Sequence, residues 1–209
     1  MGREENKGEL IKTIRSAILA GIFISVGGII NLKIGGYLGA FLFSFGLLSV
    51  VHYGLSLYTG KSGFCKYKQD FKVLPLILLG NILGTLIIGA LVHLLIPDLI
   101  KKAEGIVLLR YDTPLLTGLF NSIMCGLIMT TVVKFARQKK FIPLLIGVPL
   151  FILAGFWHSI ADAFYYSVAL NFTPRFFYIY LICVLGNFIG CNLFNLLINK
   201  TIIYKEDEC

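Results

Sequence analysis

The residues best suited to chemistry lie in one apolar stretch, residues 151–162 (FILAGFWHSIAD). His158, Ser159 and Asp162 follow Gly155 within a run that is otherwise hydrophobic. An imidazole and a carboxylate within a membrane are costly, and they are tolerated mainly where they face a bundle interior or a water-filled path. A neutral imidazole can donate a hydrogen bond from one ring nitrogen while a partner fixes the other. This pattern indicates a polar site in a pore, where His158 contacts an anion or exchanges a proton.

A second interrupted stretch, residues 55–64 (LSLYTGKSGF), ends another apolar run with Ser, Thr and Gly. Thr59 there either holds an anion through its hydroxyl or satisfies a helix terminus. For His158 the structural alternative is a bond to a neighbouring carbonyl, but the glycine break and the adjoining polar residues favour a functional role. For Asp162 we favour capping of the helix after the break over ligand contact. Two interrupted apolar segments, one in each half, are typical of a transporter site.

The elements that position these residues are apolar runs. Of the 209 residues, 57% are hydrophobic and 14% are charged, whereas a soluble domain has about 25% charged residues. Six runs approach the length of about 20 residues that a membrane-spanning helix needs. They are residues 16–32, 37–59, 73–96, 115–133, 141–161 and 176–198.

The fold class predicted from these runs is all-α, in one integral membrane domain over residues 16–198. Residues 1–15 are expected to form an amphipathic segment at the cytoplasmic membrane surface, and residues 199–209 a polar cytoplasmic tail. The longest polar connection is predicted at residues 97–114, and a partly apolar link at residues 162–174. The lipid bilayer is therefore a predicted partner.

The net charge of +8 is better explained by membrane topology than by nucleic acid binding. If the N-terminus is inside, 14 of the 19 Lys and Arg residues fall in cytoplasmic segments. The other five are Lys33, Lys101, Lys102, Arg110 and Arg175. This bias predicts cytoplasmic N- and C-termini in the cell (inner or plasma) membrane. The same basic residues could draw anions toward a pore.

The two halves share a six-residue pattern. Residues 79–84 (LGNILG) and 185–190 (LGNFIG) both read LGN, two apolar residues and Gly. The copies lie three spans apart, so they cross the membrane in opposite directions and predict an inverted 3+3 repeat with a site near the midplane. Close helix packing explains the glycines, but not why the pattern falls at matching places.

No cofactor, metal site or enzyme activity is predicted. The five cysteines form no CxxC and are expected to be reduced. The chain has no Gly-rich phosphate loop after a strand, no HExxH and no GxSxG. His52 and His93 are isolated on apolar stretches, and we assign both a structural role.

Several motifs together resemble the formate/nitrite transporter family. Residues 155–162 (GFWHSIAD) resemble its GF-E-H-S-(V/I)-A-N signature, and residues 43–61 resemble its second helix, which ends in a Leu-Phe-Thr-Gly-Asn type loop. Cys125-Gly126 resembles its Cys-Asn pair, and the LGNxxG pattern of run six also fits. The resemblance covers about residues 10–198, and the His-Ser loop is its most specific part.

This resemblance implies a pentamer of aquaporin-like protomers, each with its own pore and with helices two and five broken. The expected substrate is a small monovalent anion, often accompanied by a proton. Thr59 and His158 would be the central polar pair, with Ser159 and Asp162 beside them, and Arg110 would be a vestibule charge where relatives have Lys. The implied apolar constrictions are Phe43, Leu47, Leu57 and Phe151.

The chain departs from the family pattern at several places. Trp157 replaces the usual acidic residue before the histidine, Asp162 the usual Asn, and Ser56 the usual acidic residue before the Leu-Phe-Thr loop. The segment after Thr59 is shorter by roughly two helical turns, so the second half of helix two is expected to be a stub. These changes leave open which anion is carried.

The predicted function is transport of weak-acid anions such as formate, nitrite or hydrosulfide. Basic residues concentrate the anion, and the apolar rings impose a desolvation cost of several kcal/mol on a bare ion. Desolvation favours protonation, so the neutral acid crosses. One alternative is a neutral-solute pore for water, glycerol or H₂S, because a carboxylate at Asp162 disfavours anions. A less favoured alternative is a membrane enzyme or binding protein using His158 and Asp162.

Overall fold

The computed structural model describes residues 2–65 and 67–197. Almost all of these residues are helical. Residues 199–209, the predicted tail, lie outside this part of the chain. The helices in order are α1 (Gly2–Ile34), α2 (Gly36–His52), α3 (Tyr58–Ser62), α4 (Lys68–Leu95), α5 (Ile100–Asp112), α6 (Leu115–Arg137), α7 (Ile142–Leu153), α8 (Ser159–Ala169) and α9 (Pro174–Leu197), with a 3₁₀ turn at Pro97–Leu99.

Apolar helices of two lengths make up the framework. Within the described residues, four helices are long and apolar enough to cross a membrane, and they fall within α1, α4, α6 and α9. The apolar helices α2 and α7 have 17 and 12 residues. At 1.5 Å per residue they reach about 26 and 18 Å, short of a hydrocarbon core of about 30 Å.

Helices α2 and α7 end in the same way, at a glycine. Gly54 and Gly155 have φ values of 63° and 70°, in the left-handed region that favours glycine. The next residue in each case, Leu55 or Phe156, donates its N–H to a carbonyl five positions earlier. This is the Schellman arrangement that stops a helix. Run two was predicted to continue to Thr59, and this was wrong, because Gly54 ends the helix earlier.

Helix α5 occupies most of the predicted polar connection at residues 97–114. Leu99, Ala103, Val107 and Tyr111 are buried and recur every four residues, so they form one helical face. That face packs toward α8, which itself occupies most of the predicted link at 162–174. The charged residues between the buried positions concealed this periodicity.

The N-terminal segment is continuous with the first span. Helix α1 extends without interruption from Gly2 to Ile34, so residues 2–15 do not form a separate helix. Leu10 and Ile11 are each 44% exposed. Their contact with a membrane surface stays a prediction.

Glycines of the repeated LGNxxG pattern bring the long helices together in pairs. Gly80 and Gly84 of α4 face α1, and Gly186 and Gly190 of α9 face α6. At each of the four positions an added Cβ would collide with a backbone or side-chain atom of the facing helix. The packing role inferred for these glycines explains why the two helix pairs are alike. Helix α1 packs closely on α4, and α6 packs closely on α9.

We expect Gly190→Ala to destabilise the protein, because the new methyl group would collide with the carbonyl of Ile123. Overpacking of this kind costs about 1–3 kcal/mol. The matched control is Gly105→Ala in α5, where nothing lies within 4 Å of the added Cβ. The measurement is the thermal unfolding midpoint in detergent. Equal midpoints for the two variants would contradict close packing of α6 on α9.

Candidate functional site

Two short non-helical segments, residues 53–57 and 154–158, separate α2 from α3 and α7 from α8. The backbone groups of such segments lack helical partners, and buried polar groups without partners are costly. The side chains that satisfy these groups therefore decide how the segments are held.

Asn81 of α4 holds the first segment. Its Nδ2 donates to the carbonyl oxygens of Ser56 and Ala17 at 2.8 and 2.7 Å. Its Oδ1 accepts from the backbone N–H of Tyr58 at 2.8 Å. One fully buried side chain thus fixes the backbone on both sides of Leu57 and ties it to α1.

Asn187 of α9 holds the second segment with the same three bonds. Its Nδ2 donates to the carbonyl oxygens of Trp157 and Ser122 at 2.8 and 2.9 Å. Its Oδ1 accepts from the backbone N–H of Ser159 at 2.8 Å. The residue enclosed by this clamp is His158, which occupies the position that corresponds to Leu57.

His158 and Thr59 form a buried polar pair. Thr59 Oγ1 lies 3.0 Å from His158 Nε2, and both residues are at most 2% exposed. His158 Nδ1 accepts the backbone N–H of Ala161 at 3.1 Å. Because Nδ1 is an acceptor, the proton of the neutral ring is on Nε2, which donates to Thr59. Thr59 then keeps its own hydroxyl proton for another acceptor.

The bond to Ala161 also makes His158 the N-cap of α8. Asp162 was predicted to cap this helix, and that prediction was wrong. Asp162 lies one turn further along, and its carboxylate points to Arg110 instead. The imidazole can cap because the non-helical backbone of His158 places Nδ1 over the first turn.

Apolar side chains adjoin the polar pair. The Phe151 ring stacks on the His158 ring with centroids 5.3 Å apart, and Phe43 meets Phe151 edge-on at 6.1 Å. Leu47 and Leu57 line a cavity of about 150 Å³ close to Thr59. All four predicted constriction residues are at most 3% exposed.

Arg110 and Asp162 form a buried ion pair. Arg110 Nη2 lies 3.1 Å from Asp162 Oδ1, and the side chains are 13% and 4% exposed. Arg110 also donates to the carbonyl of Gly155 at 3.2 Å, and its guanidinium lies 5.4 Å from the centre of the Trp157 ring. The Cys183 thiol donates to Asp162 Oδ2 at 3.7 Å. Arg110 thus joins α5 to the second non-helical segment, and its charge is balanced.

Ser159 is buried next to the histidine in the chain. Its hydroxyl oxygen has no hydrogen-bond partner among the described residues. Of the predicted polar residues, the structure therefore brings Thr59 and His158 together, and it directs Asp162 to Arg110.

The asparagines of the repeated pattern are the site residues that sequence reasoning missed. The LGNxxG copies indicated equivalent helices, but only the glycines received a role. A polar amide at the same place in both copies, between two glycines of an apolar helix, was the available signal. It did not reveal which segment each amide would hold.

These features define a helical membrane protein with a polar pair enclosed by apolar side chains. The family model described as Formate/nitrite transporter matches residues 1–201, and the chain belongs to that family. The resemblance seen in the sequence is confirmed. A search of curated proteins finds no match.

Two solved structures show the same fold. One is described as a pentameric formate channel with formate bound, at 21% identity and a TM-score of 0.79, covering 90% of this chain and 95% of the other. The other is described as an FNT family ion channel, at 18% identity and a TM-score of 0.77, covering 90% and 89%.

We expect Asn187→Ala to destabilise the protein, because it removes the partner of the Trp157 carbonyl and of the Ser159 N–H. Each unsatisfied buried group costs about 1–3 kcal/mol. Asn121→Ala, at a partly exposed asparagine of α6, is the control. The unfolding midpoint in detergent reports the difference. A loss no larger than that of the control would show that Asn187 does not hold the segment.

The buried ion pair predicts a non-additive double-mutant cycle. Arg110→Gln and Asp162→Asn each leave one buried charge uncompensated, a change that costs about 3–5 kcal/mol. We expect the double variant to lose less stability than either single variant, because neither charge remains. Detergent unfolding of all four proteins measures the coupling, and additive losses would contradict a direct pairing.

Proposed function

We propose that the protein passes small monovalent anions of weak acids, such as formate, nitrite or hydrosulfide, across the membrane together with a proton. The observation that carries this proposal is the buried contact of 3.0 Å between Thr59 and His158, enclosed by apolar side chains. Membership of the formate/nitrite transporter family supports the substrate class, as does the solved relative that holds formate.

The proposed architecture is an inverted 3+3 repeat of six spans. Helices α2 and α3 form one broken span, α3 being a stub of five residues, and α7 and α8 form the other. The matched asparagine clamps and the matched helix ends at Gly54 and Gly155 support this reading. The pentameric relative supports a homo-pentamer, and the distribution of Lys and Arg supports cytoplasmic termini in the inner or plasma membrane.

The polar pair presents hydrogen-bond donors to the neutral acid inside the apolar path. His158 Nε2 donates to Thr59, so the Thr59 hydroxyl is polarised and directs its proton outward. The buried hydroxyl of Ser159 supplies a further donor. Asp162 has no such role in this proposal, because Arg110 holds its carboxylate.

The proton comes from solvent rather than from His158. A second proton on the ring would occupy Nδ1 and break the bond from the Ala161 N–H. The apolar side chains around the pair exclude water, which penalises a bare anion and favours its neutral acid. The anion therefore takes a proton on entering the apolar path and releases it beyond.

Neither alternative function gains support. The neutral-solute pore rested on an uncompensated carboxylate at Asp162, and Arg110 neutralises that carboxylate. The enzyme or binding-protein alternative needs a third partner for His158 and Asp162, whereas these two side chains engage different residues. Transport is also the function of the family.

Proteoliposome flux tests this function with formate and glycerol at about pH 5.5 and about pH 7.5, because solvent at the lower pH supplies more protons to the anion. We expect formate to move faster at the lower pH. His158→Asn keeps an N-cap side chain but removes Nε2, and Thr59→Val removes the hydroxyl. Each should lose about fivefold or more in formate flux, because one neutral hydrogen bond contributes about 1 kcal/mol.

Controls separate transport from folding and leakage. Thr59→Ser keeps the hydroxyl and should retain most of the flux, and protein-free liposomes give the background. Formate flux that does not change with pH would contradict proton coupling. Movement of glycerol without formate would contradict the anion function itself.

A further inference from the structure

The short helix α3 carries Thr59 but depends on its neighbours for its position. It has five residues, whereas α8, which follows the other non-helical segment, has eleven. The last four carbonyls of a helix lack partners within that helix, so nearly all of α3 needs other groups. Most helical stability in proteins comes from tertiary packing, and this holds most strongly for so short a helix. The groups that contact α3 therefore decide where Thr59 lies.

Helix α9 supplies such groups from two adjacent side chains. The Cys191 thiol donates to the carbonyl oxygen of Thr59 at 3.3 Å, and the Asn192 amide donates to the carbonyl oxygen of Ser62 at 3.2 Å. The two acceptors belong to the second and the last residue of α3. Helix α9 thus holds α3 near both ends, and one of the two bonds goes to the backbone of the residue whose hydroxyl meets His158.

The backbone of Cys191 is itself fixed. Thr130 Oγ1 of α6 donates to the carbonyl oxygen of Cys191 at 2.9 Å, and both residues are fully buried. An added Cβ at Gly63, just after α3, would lie 2.6 Å from the same carbonyl oxygen. The end of α3 therefore lies directly against α9, where a residue larger than glycine would collide. Cys191 belongs to a rigid frame, which is what a side chain that positions another group requires.

The two copies of the LGNxxG pattern differ in the residues that follow them. Cys191 and Asn192 follow the second copy, whereas Thr85 and Leu86 follow the first. Thr85 donates to the carbonyl oxygen of Ile82 in its own helix, and the leucine side chain has no polar atom. The helix of the first copy packs on α8, which has eleven residues and an N-cap of its own. The donors directed at a neighbouring helix therefore follow the copy that lies against the shorter helix, α3.

We propose that Cys191 and Asn192 are positioning residues for transport, which hold α3 on α9 and so keep the Thr59 hydroxyl within hydrogen-bond distance of His158. The inference rests on the proposed function, because it names the residues that set the geometry of the polar pair. Cys191 acts on the backbone of Thr59 itself, and Asn192 acts on the far end of the helix. Both act through Thr59 and not by touching the transported acid.

Nuclear magnetic resonance tests this positioning without any transport. The full chain is prepared in detergent with isotopically labelled histidine, and the His158 ring signals are assigned by their loss in His158→Asn. The signal of the Nε2 proton reports the hydrogen bond to Thr59, and Thr59→Val gives the signal of the unbonded donor. We expect Cys191→Ala to move the signal toward that of Thr59→Val. Cys191→Ser should restore it, because serine keeps a donor.

The matched control is Cys125→Ala. Cys125 of α6 is as fully buried as Cys191, but the bond to the Thr59 carbonyl belongs to Cys191. Both substitutions remove one buried sulfur atom, so a general effect of the cavity would appear in both. An unchanged signal in Cys191→Ala, or an equal change in Cys125→Ala, would overturn the proposal.

Flux measurements show whether the two residues act through Thr59. Cys191→Ala should lower the maximal rate of formate flux about twofold or more, the effect of one weak hydrogen bond, with little change in KM. Asn192→Leu, which installs the residue found after the first copy, should act in the same way. In a Thr59→Val background neither substitution should have much further effect, because the hydroxyl that they position is absent. Additive losses in a double variant would overturn the role of that residue.

The two measurements separate this inference from the proposed function. If the Nε2 signal responds to Cys191→Ala but the wild-type protein moves no formate, the positioning of the polar pair is supported and the transport proposal fails. If the wild-type protein moves formate but the signal does not respond, transport is supported and the positioning role fails.

Discussion

Backbone N–H and C=O groups inside a membrane protein must find partners within the protein, because the bilayer offers none. The segments before α3 and α8 leave the helical hydrogen-bonding pattern, so their groups depend on other side chains. Asn81 and Asn187 each supply two hydrogen bonds that meet this need, and a third that ties the segment to a neighbouring helix. The positions of Leu57 and His158, and with them the whole polar site, follow from these two amides.

Two further contacts stabilise the second segment. His158 caps α8 through one ring nitrogen and meets Thr59 through the other, so its orientation is fixed from both sides. Arg110 holds the carbonyl of Gly155 and the carboxylate of Asp162. The structure therefore balances an arginine and an aspartate in a place where either charge alone would be costly.

The errors of sequence interpretation have identifiable physical causes. Hydrophobicity continues through His52 to Thr59, so the run did not show that Gly54 ends the helix by its backbone conformation. In the connection at residues 97–114, charged residues hid the buried positions from Leu99 to Tyr111. The capping role given to Asp162 followed from residue type, but the partner of a carboxylate depends on where a distant arginine lies.

The sequence alone determined the membrane class, the family, the equivalent helices and the identity of the polar pair, because apolar length and short motifs are local properties. It also marked Gly155 as a break, since glycine is the residue that tolerates a left-handed backbone. Only the tertiary structure showed the asparagine clamps, the pairing of Arg110 with Asp162 and the bonds from α9 to α3. Each of these features joins residues that are far apart in the chain. The number of residues between them does not tell how close they lie in the folded protein.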